Sequence, residues 1–405
     1  RNHWPHDAGA GRLFPPPCQL GGDAMKTFLR GILLPCAAAA AGLLLVLLGL
    51  GIAGYSPLVI LREWIGSAAG TRLGLAASFQ EACPLLLTGL AAGVAFRGGV
   101  LNIGAEGQFL VGALASVAVT TRLIPPTGGP AWLVILLALA AGTLAGALWA
   151  AIAAVLDVWR GVPVVLSTIL LNFIALQFLG VMLNGPLQAP GTHSPQSAAL
   201  PAAFQLPVMM AGTQFHMGIL LAGLVALAAW VVQDRTVFGF ELLVTGLNPT
   251  AAALAGMPVI RRRLAILFIS GGFAGLGGAI EVTGVSHFLS DASAGYGYAG
   301  IAVALLGRLH PLGIAAAALF FGLLNTGAAH VERDYTLGIP HAIADIVKGV
   351  IILAMLIGTA WRFGRLRPTQ SDDATSAAAP PTSFAEVAAG ITHAPSPPSS
   401  AGGIT

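Results

Sequence analysis

The sequence predicts an all-α fold, a polytopic transmembrane helical bundle of about ten spans, and its composition carries that prediction. Of the 405 residues, 56% are hydrophobic and only 9% are Asp, Glu, Lys or Arg, whereas a soluble domain carries roughly a quarter charged residues. So few charges cannot cover the surface of a water-soluble globule of this length. The composition therefore excludes soluble enzymes and coiled coils. The small net charge of +3, without a basic stripe, argues against a nucleic-acid partner.

Apolar runs mark the individual spans, because a helix needs about 20 apolar residues to cross the hydrocarbon core. Ten runs meet or approach that length. The eighth is short enough to be a half-helix, which would leave nine full spans. The predicted spans are 31–54, 75–95, 106–122, 132–155, 163–183, 216–233, 264–285, 294–308, 311–329 and 340–361. We therefore expect one transmembrane domain over residues 31–361.

The two ends of the chain differ in composition from this domain. Residues 1–30 form an N-terminal extension in which Met25 is the expected natural start, so we treat the extension as partly non-native. Residues 362–405 are rich in Pro, Ser, Ala and Thr. A segment of that composition cannot bury a core, which predicts a disordered cytoplasmic tail.

Basic residues predict the orientation, because Lys and Arg favour cytoplasmic loops. One topology puts twelve of them inside and four outside, and the reverse topology inverts that ratio. The inside group is Lys26, Arg30, Arg97, Arg160, Arg235, Arg261, Arg262, Arg263, Arg308, Arg362, Arg365 and Arg367, and the outside group is Arg62, Arg72, Arg122 and Arg333. Both termini and the longest inner loop, 234–263, are then cytoplasmic.

Glycines and polar residues interrupt the apolar sequence between the second and third spans, in RGGVLNIGAEGQ at 97–108. Irregular backbone at membrane depth is tolerated only where protein or a watery cavity satisfies it, and such breaks mark translocation paths. Asn102, Glu106 and Gln108 are therefore candidates for lining or gating a path. An equally weighted alternative is a tight turn in which Asn102 and Glu106 cap helices.

The longest inner loop contains a short helix with clear boundaries. Asn248 suits the N-cap and Pro249 the first helical position, while Gly256 suits the left-handed residue that follows a helix. So short a helix is marginal alone, and its small apolar residues, Ala252 and Ala253 among them, favour docking into a groove of another protein. The alternative is an amphipathic connector lying on the membrane.

A second broken segment, at 293–307, occupies a comparable place in the second half of the chain. It too is rich in glycine and includes Tyr296. Paired interruptions of this kind indicate an internal repeat around a central path. We therefore expect two related halves, each with a broken helix.

Ionisable residues inside a membrane are costly and are functional candidates by default. Glu281 lies deep in the seventh span and Glu81 in the second, while Asp345 and Lys348 are spaced to neutralise each other on one helix face. Asn172 is equally suited to line a cavity or to bond a neighbouring helix. Glu281 and Asn172 join the candidates for the path.

Two pairs of glycines predict close helix packing. Gly142/Gly146 and Gly271/Gly275 both have the small-xxx-small spacing that lets helix backbones approach each other. We expect these pairs to serve packing and not chemistry.

No catalytic, metal or cofactor site is expected. The sequence has no G-x-S-x-G, H-E-x-x-H or P-loop motif. Its nine histidines are scattered without metal-ligand spacing. The chain is therefore not expected to be an enzyme or to hydrolyse ATP itself.

Four motifs occur in one order: NIGAEGQ at 102–108, LSTILLN at 166–172, GLNPTAAALAG at 246–256, and the segment 293–307. Together they resemble the permease subunit of a bacterial ABC importer, in the nucleoside and simple-sugar branch related to the branched-chain amino acid permeases. The resemblance spans about Met25 to Arg362. One such motif would be weak evidence for this family, whereas four motifs in the same order are specific evidence for it.

The resemblance implies a permease domain at 31–361 in a bacterial inner membrane, surrounded by lipid. The domain would form a dimer on two cytoplasmic ABC ATPases and receive solute from an extracytoplasmic binding protein. The helix at 248–256 would be the coupling helix that contacts the ATPase. The form of the first motif favours nucleosides over sugars, and a heterodimer of two permeases over a homodimer. The residues assigned to the path are Asn102, Glu106, Gln108, Asn172, Glu281 and Tyr296.

A secondary transporter driven by an ion gradient is the alternative. It would use carboxylates near the midplane, for which Glu81, Glu281 and Asp345 are available. It leaves the capped inner helix unexplained. Dependence of transport on ATP separates the two hypotheses.

Overall fold

The computed structural model describes residues 54–124, 129–290 and 295–333, with scattered positions at 44–52 and 349–353. The regular structure of these ranges is helical, and no strand occurs in them beyond isolated bridges. The helices are α1 (Pro57–Ala69), α2 (Arg72–Arg97), α3 (Ala105–Ala118), α4 (Ala131–Arg160), α5 (Val164–Leu183), α6 (Met217–Arg235), α7 (Val237–Leu247), α8 (Pro249–Leu254), α9 (Val259–Glu281), α10 (Tyr296–Leu306) and α11 (Pro311–Arg333). Short π-helical turns, Val119–Leu123 and Val282–Ser286, extend α3 and α9.

Six helices in the described ranges are long and apolar enough to cross a membrane. They are α2, α4, α5, α6, α9 with its π-helical turn, and α11. The all-helical class is thus confirmed, although the predicted total of about ten spans is not. The predicted first and tenth spans, the Asp345–Lys348 pair and both chain ends lie wholly or largely outside the described residues.

The second to ninth predicted spans each coincide with a helix, and the eighth is short, as expected. That helix, α10, has 11 residues, which gives a length of about 16 Å, half a membrane crossing. Two helices were not predicted. Both α1, with 13 residues, and α7, with 11, fall short of the length by which spans were recognised.

Local caps set several helix boundaries. The Thr71 hydroxyl accepts a hydrogen bond from the Gly74 N–H at 2.9 Å, which caps the start of α2. At the start of α6 the His216 Nδ1 accepts one from the Gly218 N–H at 3.2 Å. Gly161 closes α4 with a left-handed φ of 66°, a conformation that glycine adopts without a Cβ penalty.

The two glycine pairs form one seam between α4 and α9. A Cβ placed on Gly146 would lie 2.7 Å from the Gly275 Cα and closer still to the Gly271 carbonyl oxygen. A Cβ on Gly275 would collide with the Gly142 carbonyl oxygen. The predicted close packing is confirmed, and the two pairs face each other directly. The backbones of α4 and α9 therefore touch along about one helical turn.

Ion pairs gather at one end of the bundle, which we call the arginine-rich end. The Arg97 guanidinium, at the end of α2, lies 2.9 Å from the Asp234 carboxylate on α6. Arg262 pairs with Glu241, which joins α9 to α7. Other ion pairs at this end are Arg263–Asp157 and His310–Asp234.

A long loop, residues 184–216, covers part of the opposite end. It packs on the chain after α9 through backbone hydrogen bonds of 2.8 Å, from Leu200 N–H to the His287 carbonyl and from Leu206 N–H to the Thr283 carbonyl. His216 closes this loop and is fully buried. Burial, followed by the charge of His287, lowers the pKa of His216 to about 4.

Candidate functional site

The segment 98–104 breaks the chain between α2 and α3, and Asn102 holds it from within. The Asn102 Nδ2 donates to Gln108 Oε1 at 3.0 Å and to the Ser270 hydroxyl at 2.8 Å. Its Oδ1 accepts from the Gly104 N–H at 2.8 Å and from Gln108 Nε2 at 3.1 Å. Asn102 and Gln108 are both buried. The protein itself therefore satisfies the polar groups of these two candidates.

Asn172, on α5, fixes the same segment from the side. Its Oδ1 accepts from the Gly107 N–H at 2.9 Å, and its Nδ2 donates to the Ile103 carbonyl at 2.9 Å. The Tyr298 hydroxyl lies 3.3 Å from that Nδ2. Of the two roles left open for Asn172, the structure shows the hydrogen bond to a neighbouring element. We call Asn102, Gln108 and Asn172 the amide latch.

Glu106 joins the two broken segments. Its side chain is buried at the start of α3, and its carboxylate oxygens accept hydrogen bonds from the Gly295 N–H at 3.2 Å and the Gly297 N–H at 2.7 Å. These N–H groups belong to the first turn of α10, where the helix dipole favours a negative charge. Glu106 is therefore a cap, as one alternative held, but the helix that it caps is α10.

Glycine is required where these segments meet. A Cβ on Gly297 would collide with the backbone N and Cα of Glu106. The backbone of α10 can thus approach the start of α3 only because residue 297 has no side chain. The two interruptions predicted in separate halves of the sequence are in direct contact.

A second polar group lies beside this junction, and we call it the Glu81 cluster. The Tyr296 hydroxyl donates to Glu81 Oε2 at 3.4 Å, and Asn325 Nδ2 donates to the same oxygen at 3.5 Å. Glu281 is close enough to Glu81 and Tyr296 to interact with both electrostatically. The four side chains come from α2, α9, α10 and α11, and each is half-buried.

Only two of the four residues in this cluster were predicted from the sequence as candidates for the path. Glu281 and Tyr296 were candidates for the path, whereas Glu81 was assigned to the alternative hypothesis and Asn325 was not considered. The signal for Asn325 was its position as an isolated amide in the apolar run FFGLLNTGAA at 320–329. Its proximity to Glu81 could not be read from a separation of 244 residues.

The short inner helix has the boundaries that its sequence predicts. The Asn248 Oδ1 accepts from the Ala251 N–H at 2.9 Å, Pro249 occupies the first turn, and Gly256 follows the helix with a left-handed φ of 80°. Ala252 is fully buried and Ala253 half-buried against the rest of the protein, whereas Leu254 is 85% exposed. The outward face of α8 is thus formed mainly by residues other than the two alanines.

A backbone contact connects this region to the broken segment. A Cβ on Gly246, near the end of α7, would collide with the Arg97 carbonyl oxygen. A Cβ on Gly99 would lie 2.8 Å from the Gly246 Cα. This contact was not predicted from the sequence. It places the element that leads into α8 directly against the segment held by the amide latch.

Metal ligation has no basis in the part of the chain that the structure describes. No group of three or more His, Cys, Asp or Glu side chains there is arranged to hold a metal ion. The polar groups at the junction instead form a network of neutral amides, carboxylates and backbone N–H groups. Such a network can bind or gate a polar solute but offers no paired nucleophile and base.

Comparison with known proteins shows the family to which the chain belongs. Residues 74–356 match the family described as branched-chain amino acid transport system / permease component. The chain is 36% identical over 337 residues to the guanosine ABC transporter permease NupP of Bacillus subtilis, covering 81% of this chain and 93% of the relative. It is 32% identical over 345 residues to the nucleoside ABC transporter permease NupB of Lactococcus lactis, covering 82% and 93%.

A sugar permease is also among the relatives. The glucose ABC transporter permease TsgB13 of Haloferax volcanii is 36% identical over 300 residues, which cover 71% of this chain and 77% of the relative. Bacillus subtilis and Lactococcus lactis each have a second permease that matches this chain. These are NupQ of B. subtilis and NupC of L. lactis, each 32% identical to this chain.

Proposed function

Because the chain belongs to the family of branched-chain amino acid transport system permease components, and is an integral membrane permease subunit of the ABC importer class, we propose that its solute is a nucleoside. The observation that carries this proposal is the similarity to guanosine and nucleoside permeases over 93% of their length. The glucose permease is matched over a smaller share, 77%. A simple sugar is therefore the second candidate.

The assembly that we propose has four kinds of chain. A cytoplasmic ABC ATPase supplies the energy, since this chain has no P-loop motif. A second permease completes the membrane dimer, and the paired relatives in two bacteria favour a heterodimer over a homodimer. An extracytoplasmic binding protein delivers the solute. The arginine-rich end then faces the cytoplasm of a bacterial cell, and both termini lie there.

Coupling to the ATPase runs through α8 in this proposal. Asn248, Pro249 and Gly256 set the boundaries of a helix that is too short to be stable alone. Its buried residues, Ala252 and Ala253, anchor it to the permease, while the exposed Leu254 faces a partner. Movement of α8 would be transmitted through the backbone contact of Gly246 with Arg97 and Gly99.

Gating follows from the same contact. The segment 98–104 is held by the amide latch and, through Glu106, by the first turn of α10. Movement of α7 and α8 therefore reaches both broken segments, which lie one in each of the two related halves. Asn102, Glu106, Gln108 and Asn172 act as the gate, and Glu281 and Tyr296 face the path.

Uptake by reconstituted protein tests the proposal. The permease pair, its ATPase and its binding protein are placed in proteoliposomes, and uptake of radiolabelled guanosine is measured with and without ATP. We expect ATP-dependent uptake that unlabelled nucleosides compete and ribose or glucose do not. Uptake of sugar alone would overturn the substrate. Uptake driven by an ion gradient without the ATPase would support the secondary transporter.

A further inference from the structure

One carboxylate of the Glu81 cluster, that of Glu281, has no hydrogen bond from the part of the chain that the structure describes. Within the described residues, no side chain or backbone N–H donates to the Glu281 carboxylate, although Ser286 bonds to its backbone carbonyl. Its neighbours Ile280 and Val282 are each only 1% exposed. A polar group in such a place is costly unless something pairs with it. The Glu281 side chain itself remains partly exposed between these buried neighbours.

The other members of the cluster are also partly exposed and lie close to Glu81. Glu81 is half-buried, although the next residues along α2, Ala82 and Cys83, are 7% and 3% exposed. Tyr296 and Asn325 both donate to one oxygen of Glu81, so the two are turned toward it. These side chains come from four helices, of which α9, α10 and α11 are consecutive and α2 is far away in sequence. Their convergence on one point inside the bundle is not explained by the capping or packing of any one helix.

The chemistry of the cluster favours a neutral solute that is rich in O–H groups. A carboxyl group has two oxygens that can each accept hydrogen bonds. Two such groups beside an amide and a phenol suit a pair of adjacent hydroxyls. In a nucleoside these are the 2′- and 3′-hydroxyls of the ribose. A metal cation is disfavoured because the described residues hold no group of three or more ligands.

We propose that Glu81, Glu281, Tyr296 and Asn325 form a solute-binding site in the permease, which receives the vicinal hydroxyls of a ribose during transfer. The proposal rests on the proposed function and adds to it a site that the binding protein does not supply. Glu281 is the main acceptor, because its oxygens are free of bonds to the described residues. Glu81 is held in place by Tyr296 and Asn325 and serves as the second acceptor.

The test compares two solutes that differ only in these hydroxyls, guanosine and 2′,3′-dideoxyguanosine. ATP-dependent uptake of each is measured in the complete reconstituted importer, as kcat/KM, for the wild type, Glu281→Gln and Asn325→Ser. Glu63→Gln, a carboxylate change on α1, is the matched control. We expect Glu281→Gln to lower kcat/KM for guanosine by about tenfold, the loss of one hydrogen bond. Uptake of the dideoxy solute should stay within about twofold of the wild type, so that the preference for guanosine shrinks.

Asn325→Ser should reduce the same preference by a smaller factor, and Glu63→Gln should leave it unchanged. An equal loss for both solutes, or no loss for either, would overturn the site while leaving nucleoside import intact. Absence of guanosine uptake by the wild type would overturn the proposed function and this site with it. Restoration of Glu281→Gln uptake by added Na⁺ or by a proton gradient would identify an ion site and would also overturn the proposal.

Discussion

Two helix caps in this protein solve the same problem over different distances. Asn248 caps the helix that it precedes, and its acceptor and the Ala251 N–H are three residues apart. Glu106 caps α10 from another helix, and its carboxylate is 191 residues from the Gly297 N–H that it binds. Both supply an oxygen to N–H groups that have no partner within their helix. Only Asn248 can do so without the rest of the fold.

The two caps differ in what they fix: a local cap fixes a helix boundary, and a distant cap fixes the position of one helix relative to another. A local cap decides where a helix starts, and the helix carries the cap wherever it moves. A distant cap ties the position of one helix to that of another, so breaking it frees both. Asn248 therefore belongs to a unit that moves as a whole, whereas Glu106 lies at a junction whose geometry depends on the state of the bundle. The predictions below test this distinction.

Removal of the distant cap should have the largest effect. Glu106→Ala removes the acceptor of the buried Gly297 N–H and one hydrogen bond to the half-buried Gly295 N–H, and we expect the free energy of unfolding to fall by about 3 kcal/mol. Thermal unfolding of the detergent-solubilised protein measures this, and uptake should be lost as well. Glu106→Gln keeps an acceptor oxygen and should be affected less. Equal effects of the two substitutions would contradict the cap.

Disruption of the contact between the two capped regions should come next. Gly246→Ala places a methyl group against the Arg97 carbonyl oxygen, and overpacking of this kind costs about 1–3 kcal/mol. We expect ATP hydrolysis to continue while uptake falls, since α8 would no longer transmit its movement. Gly223→Ala, on α6, where nothing lies within 4 Å of the added Cβ, is the control. Tight coupling in Gly246→Ala would argue against this route.

His216 is a local cap that is also buried, and its effect should depend on pH. Its pKa is lowered from 6.5 to about 4 in the folded protein, so acidification protonates the unfolded state first. Stability should therefore fall as the pH drops below about 6.5, by about 2 kcal/mol between pH 7 and 5. Unfolding midpoints across this range measure it. His216→Asn should flatten the dependence, and His193→Asn, an exposed loop change, is the control.

Gly256, which follows α8, should affect stability and coupling only through its backbone conformation. Gly256 has a φ of 80° and open space around its Cβ position. Gly256→Val should cost about 1–2 kcal/mol, since a β-branched residue is strained in the left-handed region, and it should uncouple ATP hydrolysis from uptake. Gly256→Asn tolerates that region and should retain both activities. A fully coupled valine variant would sink the assignment of α8 as the coupling helix.

The smallest effect belongs to the local cap itself. Asn248→Ala removes one side-chain acceptor from an exposed helix start and should cost about 1 kcal/mol. Asn248→Asp keeps the acceptor and should be close to neutral. Unfolding midpoints of the two variants, compared with those of Glu106→Ala, measure the ratio of local to distant capping. A larger loss for Asn248→Ala than for Glu106→Ala would reverse the comparison.

Sequence reasoning succeeded where the determinants are local. The boundaries of α8 follow from Asn248, Pro249 and Gly256 within nine residues, and apolar runs locate the long helices because lipid demands them. Prediction from the sequence was incomplete where the hydrogen-bonded residues are far apart in the chain. Glu106 could be recognised as a cap or a path residue, but its target lies on α10. Likewise, no periodicity connects Glu81 with Asn325. Such contacts follow from packing in three dimensions.

The glycine seam between α4 and α9 provides a fixed reference for spectroscopic distance measurements. No side chain separates the two backbones at Gly142, Gly146, Gly271 and Gly275, so neither helix can slide or rotate against the other without backbone collision. Spin labels at the exposed positions Leu144 and Phe268 should keep one distance throughout a transport cycle. Distances from labels on α7 or α10 to this fixed pair can then be measured. They would give the positions of α7 and α10 in each transport intermediate.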